Sequence, residues 1–107
     1  IKGRVILVEG IFDMLNLHDK GLTNAMCCFG TRNIDIDKLK LLRMQGVSAV
    51  DILFDPDEAG QEAALHIIEL CETAELLSKN IKLPVQLGDA GALNKQKVKD
   101  LKERLYG

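Results

Sequence analysis

Apolar residues run along this chain in two rhythms. Val5-Ile6-Leu7-Val8 is a short continuous run, as is the 25–29 stretch Ala25-Met26-Cys27-Cys28-Phe29. Val50, Ile52, Leu53 and Phe54 make a third. Runs of this length, rich in branched and aromatic side chains, read as strands buried on both faces. Between them the period changes to that of a helix. Ile11, Met14, Leu15 and His18 share one face over 10–20, with Gly21 as the stop. Ile36, Leu39, Leu42 and Arg43 repeat the pattern behind a cap at Asn33 or Asp35 and ahead of Gly46. Ala63, Ala64, Ile67, Ile68, Cys71 and Ala74 form the stripe of a helix expected over 58–77. Ile81, Leu83, Val85 and Leu87 then alternate with Lys82, Pro84 and Gln86, which predicts a half-exposed edge strand at 81–87. A last helix carries Val98, Leu101 and Leu105 inward and keeps Lys95, Lys97, Lys99, Lys102 and Arg104 in water.

Strands alternating with helices predict a three-layer α/β/α fold around a four-stranded, mainly parallel sheet, of Rossmann-like type. The 107 residues suit a single domain, 1–107, with one modest core. Apolar content of 47% and charged content of 28% are ordinary for a soluble globular chain and argue against disorder. No apolar run nears the roughly 20 residues of a membrane span, so no membrane partner is expected. Because a strand follows Ile1 almost at once, the sequence is expected to be a piece of something longer. A net charge of −2 is unlike that of a self-sufficient nucleic-acid binder. Any such contact has to be local, metal-assisted, or helped by other domains or proteins that supply basic surface. Cys27, Cys28 and Cys71 lack zinc spacing, and neighbours on a strand face opposite ways. They read as small buried hydrophobes in a reducing, cytoplasmic compartment.

Candidate chemistry gathers where the third strand stops, at Asp55-Pro56-Asp57-Glu58-Ala59-Gly60. Open α/β sheets bind ligands at the carboxyl ends of their strands. Asp55 and Asp57, two residues apart on an extended turn, offer the hard oxygens that magnesium prefers. Aspartates also turn chains and cap helices, which accounts for many such pairs. Here the pair ends a fully apolar strand, Glu58 adds a third acid, and Glu9 ends another buried strand. Close carboxylates repel by roughly 4 kcal/mol per pair at an effective dielectric near 20, so a cluster without a cation is expected to be costly. Other acidic motifs fit worse. An EF-hand loop from Asp55 would end on His66 instead of a glutamate, and no Gly-Lys-Ser/Thr of a P-loop occurs. A phospho-receiver domain would need paired acids after the first strand and a late lysine, where this chain has Glu9-Gly10 and Gly88-Asp89.

Two segments together resemble the Toprim domain shared by topoisomerases and primases. Val5-Ile6-Leu7-Val8-Glu9-Gly10 is similar to its first motif, and Ile52-Leu53-Phe54-Asp55-Pro56-Asp57-Glu58-Ala59-Gly60 to its second. Gly10-Ile11-Phe12-Asp13, Phe29-Gly30-Thr31 and Gly88-Asp89-Ala90-Gly91-Ala92-Leu93 resemble the bacterial primase branch. The likeness runs from about Arg4 to Leu105. It departs at Pro56, where a small residue is commoner, and around Asp89, where Gly88 and Ala90 replace a lysine and a proline. No zinc-binding or basic flanking domain is present in the sequence.

The resemblance implies a catalytic set of Glu9, Asp55 and Asp57. Glu9 would act as general acid or base, and Asp55 and Asp57 would hold magnesium, for which manganese can substitute. Within the family's metal shell, Glu9 and Asp13 are further candidates, although Asp13 equally suits a first-turn acid favoured by the helix dipole. The implied function is magnesium-dependent nucleotidyl or phosphoryl transfer on nucleic acid, primase-like, with nucleic acid and nucleotides as partners. A small Toprim nuclease is the first alternative. A non-catalytic Toprim-like binding module is the second, and retention of all three acids counts against it. Arg32, Lys38 and Arg43 could touch a phosphate backbone, but a solvated helix face explains them better.

Overall fold

A computed structural model describes residues 3–28, 34–83 and 90–107. Four parallel strands form one sheet: β1 (Arg4–Val8), β2 (Ala25–Cys27), β3 (Ala49–Ile52) and β4 (Leu77–Asn80), in the order β2-β1-β3-β4. The helices are α1 (Ile11–Asp19), α2 (Ile36–Met44), α3 (Glu58–Thr73) and α4 (Lys95–Tyr106), with a 3₁₀ turn at Ala90–Ala92. The three-layer α/β/α architecture with its parallel sheet is the one expected. Phe29-Gly30-Thr31, Arg32, Asn33 and the 84–89 segment with Val85, Leu87, Gly88 and Asp89 lie outside the described residues.

The period of two along a strand sorts the core into halves. Ile6, Val8, Ala25 and Leu53 pack with Leu17 of α1 and with Val98 and Leu101 of α4. Leu7, Val50, Ile52 and Phe54 face the other way, against Leu39 of α2 and Ala64, Ile67 and Cys71 of α3. Adjacent Cys27 and Cys28 belong to opposite halves, as strand geometry requires. All three cysteines are free, though Cys27 is only half-buried. Asp35 caps α2, its side chain accepting from the Lys38 amide at 3.0 Å.

Two expectations are corrected. The third helix stops at Thr73 instead of running to Leu77. β4 occupies Leu77–Asn80, ahead of the expected 81–87, of which residues 81–83 are outside any strand and residues 84–87 lie outside the described residues. Gly21 and Gly46 follow the ends of α1 and α2 at positive φ, but after α3 that conformation falls to Glu75, at φ 62°. A glutamate there gives no sequence signal for a stop. Polar β4 lies at the sheet edge with Leu77 74% exposed, so its composition hides its strand character. The buried stripe of α1 is also rotated: Ile11 and Leu15 are 41% and 49% exposed, while Leu17 is fully buried. Asn16 explains the rotation, its amide donating to the carbonyls of Ala90 and Leu93 and drawing that side of α1 against the 3₁₀ turn.

One polar cluster interrupts the apolar interior. Asp51 is the buried charged residue on β3, with no exposed surface. Arg4 donates to both its oxygens, from Nη2 at 2.8 Å and Nε at 3.3 Å, and the Tyr106 hydroxyl donates at 2.9 Å. Asn24 donates to the Tyr106 oxygen at 2.9 Å, and the Arg4 guanidinium lies 5.3 Å from the centre of the Tyr106 ring. The bond to Asp51 raises the Arg4 pKa. Burial pushes the Tyr106 hydroxyl above the usual phenol range, against the pull of the Asn24 bond. The cluster pins the last turn of α4 to the sheet.

Removing one partner of a buried pair strands the other charge, whereas replacing both with apolar groups is often neutral. With the Arg4 side chain 36% exposed and the Tyr106 hydroxyl still donating to Asp51, Arg4→Met should cost less than the roughly 3–5 kcal/mol of a fully buried pair. Arg4→Met combined with Asp51→Leu should regain much of the loss in denaturant melts. A second outcome concerns alkaline pH. Burial pushes the Cys71 thiol from 9.0 up to about 11, so the native state keeps a proton that the unfolded chain has lost. Stability that is full below pH 9.0 should then fall as pH rises towards about 11, with Tyr106 adding loss in the same direction. Cys71→Ala should flatten this slope, whatever it does to stability at neutral pH.

Candidate active site at the carboxyl edge of the sheet

β1 and β3 are hydrogen-bonded neighbours, with Leu7 opposite Ile52. This register brings the residues after both strands to one edge. Leu53 N–H still donates to the Leu7 carbonyl at 2.9 Å, one step beyond β3. Then the pattern changes. The Asp55 amide donates to the Glu9 side chain, Oε1, at 2.8 Å. Glu9 Oε2 has no protein donor among the described residues.

Asp57 is the N-cap of α3, its Oδ1 accepting from the Gly60 amide at 2.7 Å. Its structural role as a helix cap is thus real, and it occupies one oxygen; Oδ2 has no protein donor among the described residues. Gly60 makes the approach possible. A Cβ there would lie 2.3 Å from the Asp55 carbonyl oxygen, 2.9 Å from Glu9 Oε1 and 3.0 Å from Asp57 Oδ1. All three acidic residues therefore present an atom to one small space that only a missing side chain leaves open.

Asp13 is tied to backbone amides on two elements. Its Oδ2 accepts from the Gly10 amide at 3.3 Å and its Oδ1 from the Gly91 amide at 2.8 Å, tying the start of α1 to the 3₁₀ turn. These bonds make it a strut between elements. Glu58 is exposed in the first turn of α3, where a carboxylate favours the positive end of the helix dipole. His18 Nε2 is bonded to the Ala25 carbonyl at 2.7 Å, a structural contact. Sequence reading passed over Gln61, whose Nε2 donates to the Asp55 carbonyl at 3.1 Å, and Asn80, whose Nδ2 donates to Gln61 Oε1 at 3.2 Å. Nothing in their spacing marks either residue; only the position of β4 reveals them.

Among the described residues, no three acidic, histidine or cysteine side chains gather closely enough to cage an ion. Magnesium rarely asks for a cage. It keeps several waters and takes one or two carboxylates, with substrate phosphates completing the shell. Hard carboxylate oxygens from Asp55 and Asp57 beside Glu9 fit that demand. A softer metal would want thiolate or imidazole; the thiol near Glu9, that of Cys28, is buried and directed at the Val8 carbonyl at 3.4 Å and the Glu9 carbonyl at 3.8 Å.

A family model described as Toprim-like matches residues 6–102. The DNA primase of Chlamydia pneumoniae is 42% identical over 81 residues, a match covering 76% of this chain and 14% of that protein. Among solved structures, the Aquifex aeolicus primase, comprising zinc-binding and RNA polymerase domains, superposes with a TM-score of 0.81 at 33% identity. That match covers 96% of this chain and 25% of the other. A DnaG primase catalytic domain bound to single-stranded DNA shares the fold, with a TM-score of 0.79 at 24% identity, over 96% of this chain and 33% of that one. The chain thus spans a small part of the primases that it matches.

The contacts around Gly60 yield a direct test. Gly60→Ala should displace Glu9 or the 55–57 turn, because the neighbour at 2.3 Å, the Asp55 carbonyl oxygen, is backbone and cannot swing aside. Overpacking of this kind costs roughly 1–3 kcal/mol, although alanine is the better helix former. A thermal melt in which Gly60→Ala matches or exceeds the wild type would refute the close packing described.

Proposed function

This chain belongs to the Toprim-like family, and from that premise we propose that it is a magnesium-dependent nucleotidyl-transfer domain acting on nucleic acid in the manner of DNA primases. One observation carries the reading: Glu9 and the Asp55–Asp57 turn meet through the 2.8 Å bond from the Asp55 amide to Glu9 Oε1. The likeness to primases supplies the substrate class, nucleotides and a nucleic-acid strand.

In this reading Asp55 and Asp57 would hold magnesium. When bound, the ion would neutralise phosphate charge and favour ionisation of the attacking hydroxyl. The chain's own contribution is a fixed geometry and a proton acceptor. An attacking hydroxyl oxygen forms a bond to the nucleotide's α-phosphorus, and the bond to the departing diphosphate breaks. The hydroxyl proton passes to a base, for which Oε2 of Glu9 is suited because Oε1 is engaged by the backbone. Helix α3 adds the partial positive charge of its N-terminus beside the phosphates. Basic surface for the strand would come from other domains or proteins.

Glu9→Gln keeps an oxygen that can accept from the Asp55 amide, so it removes the base with little change of shape. It should abolish nucleotide incorporation on single-stranded DNA while manganese still raises the melting temperature. A ligand held only by the native state adds roughly 2.7 kcal/mol at a hundredfold excess over Kd. Asp55→Asn and Asp57→Asn should lose incorporation and manganese stabilisation together, even though asparagine still caps α3. Asp13→Asn should affect the metal response least. Should Glu9→Gln weaken manganese stabilisation as much as Asp55→Asn does, Glu9 is a ligand and the division of roles fails.

A further inference from the structure

The Asp55 peptide is gripped on both sides, and the second grip comes from residues with no role in the chemistry above. Strand β3 ends at Ile52, so the ladder that fixes its backbone does not reach Asp55. Glu9 takes the Asp55 amide, and Gln61 Nε2 takes its carbonyl at 3.1 Å. Gln61 is in turn oriented by Asn80, the last residue of β4, held in register opposite Ile52. The chain of bonds is Asn80 Nδ2–H to Gln61 Oε1, then Gln61 Nε2–H to the Asp55 carbonyl.

The directions of these bonds are dictated by chemistry. A backbone carbonyl can only accept, so Gln61 must turn its NH₂ towards Asp55. Its oxygen then faces Asn80, which must present its own NH₂. Asn80 adopts this orientation although its Oδ1 is left buried without a hydrogen-bond partner. These bonds hold the two peptide planes that flank the Asp55 Cα, so its φ and ψ, and with them its Cα–Cβ direction, are fixed.

We infer that Gln61 and Asn80 are positioning residues for the Asp55 carboxylate, a two-amide relay that transmits the rigidity of the edge strand β4 to the metal-binding turn. The inference rests on the reading of Asp55 as a metal ligand. Outer contacts that orient a ligand typically change metal affinity by 10- to 100-fold when removed.

The test is the manganese Kd of the purified chain, read by electron paramagnetic resonance of the free ion, alongside melting temperature without metal. Gln61→Ala should raise the Kd by about 10-fold or more, with little change in melting temperature, since alanine suits the first turn of α3. Asn80→Asp is the sharper variant. Its carboxylate accepts but cannot donate, so Gln61 must flip and turn Oε1 against the Asp55 carbonyl. Manganese binding should weaken, although an added negative charge near a cation would by itself tighten it. Combining Gln61→Ala with Asn80→Asp should do no more harm than Gln61→Ala alone, because the relay acts in series. Tighter binding in Asn80→Asp, a Kd within twofold of wild type in Gln61→Ala, or a loss of affinity matched by a loss of melting temperature would overturn the relay while leaving the site intact. A wild-type chain that does not bind manganese would remove the site itself, and the relay with it.

Discussion

The structure hangs on one hydrogen bond that takes the place of a ladder bond. In a parallel pair, amides two residues apart bond to successive carbonyls across the gap. Leu53 N–H bonds to the Leu7 carbonyl, so the next amide, that of Asp55, would reach for the carbonyl of Glu9. It meets the Glu9 side chain instead, at 2.8 Å. The strands can therefore separate at their carboxyl ends without leaving a buried amide unsatisfied. Both Glu9 and Asp55 are brought to the opening by the same bond. Gly60 then lets α3 start almost against it, which no residue with a Cβ could do without moving the backbone.

This arrangement changes the electrostatic argument for a cation. Close carboxylates are costly when they face only one another. Here three of the acids are answered by backbone donors: Glu9 by the Asp55 amide, Asp57 by Gly60, and Asp13 by Gly10 and Gly91. Charge-assisted bonds of this type are roughly twice as strong as neutral ones. The repulsion expected of an acidic cluster is thereby offset within the fold. Crowding alone is no argument for magnesium; the oxygens that remain outside these bonds are.

The fold class and the meeting of Glu9 with Asp55 were legible because each rests on a strong local signal. An apolar run that ends in an acid marks a strand edge, and two such runs separated by two helices and the strand between them become neighbours in this topology. Legibility failed where tertiary position overrides composition. β4 is a strand because Ala49–Ile52 lies beside it, not because Leu77, Ser78, Lys79 and Asn80 resemble one. The end of α3 was hidden by a glutamate in a glycine's conformation. Asp51 was invisible for another reason. An acid inside an apolar strand has no meaning until Arg4, Asn24 and Tyr106, distant in sequence, close around it.

The two polar centres divide the sheet between rigidity and chemistry. Asp51 satisfies its buried charge with Arg4 and Tyr106 towards the end where β1 begins and α4 finishes. At the carboxyl edge, the acids stand on turns instead of strands, and Glu9 and Asp57 each commit one oxygen to the backbone. An acid fully consumed by the fold could not bind anything, and one wholly unrestrained would lose orientation on binding. Half-committed carboxylates avoid both outcomes. Their geometry is set before a ligand arrives, and the oxygen facing outward is left to an ion, a water or a proton. That division explains how a chain of this size can hold a precise acidic edge without a preformed cage of ligands.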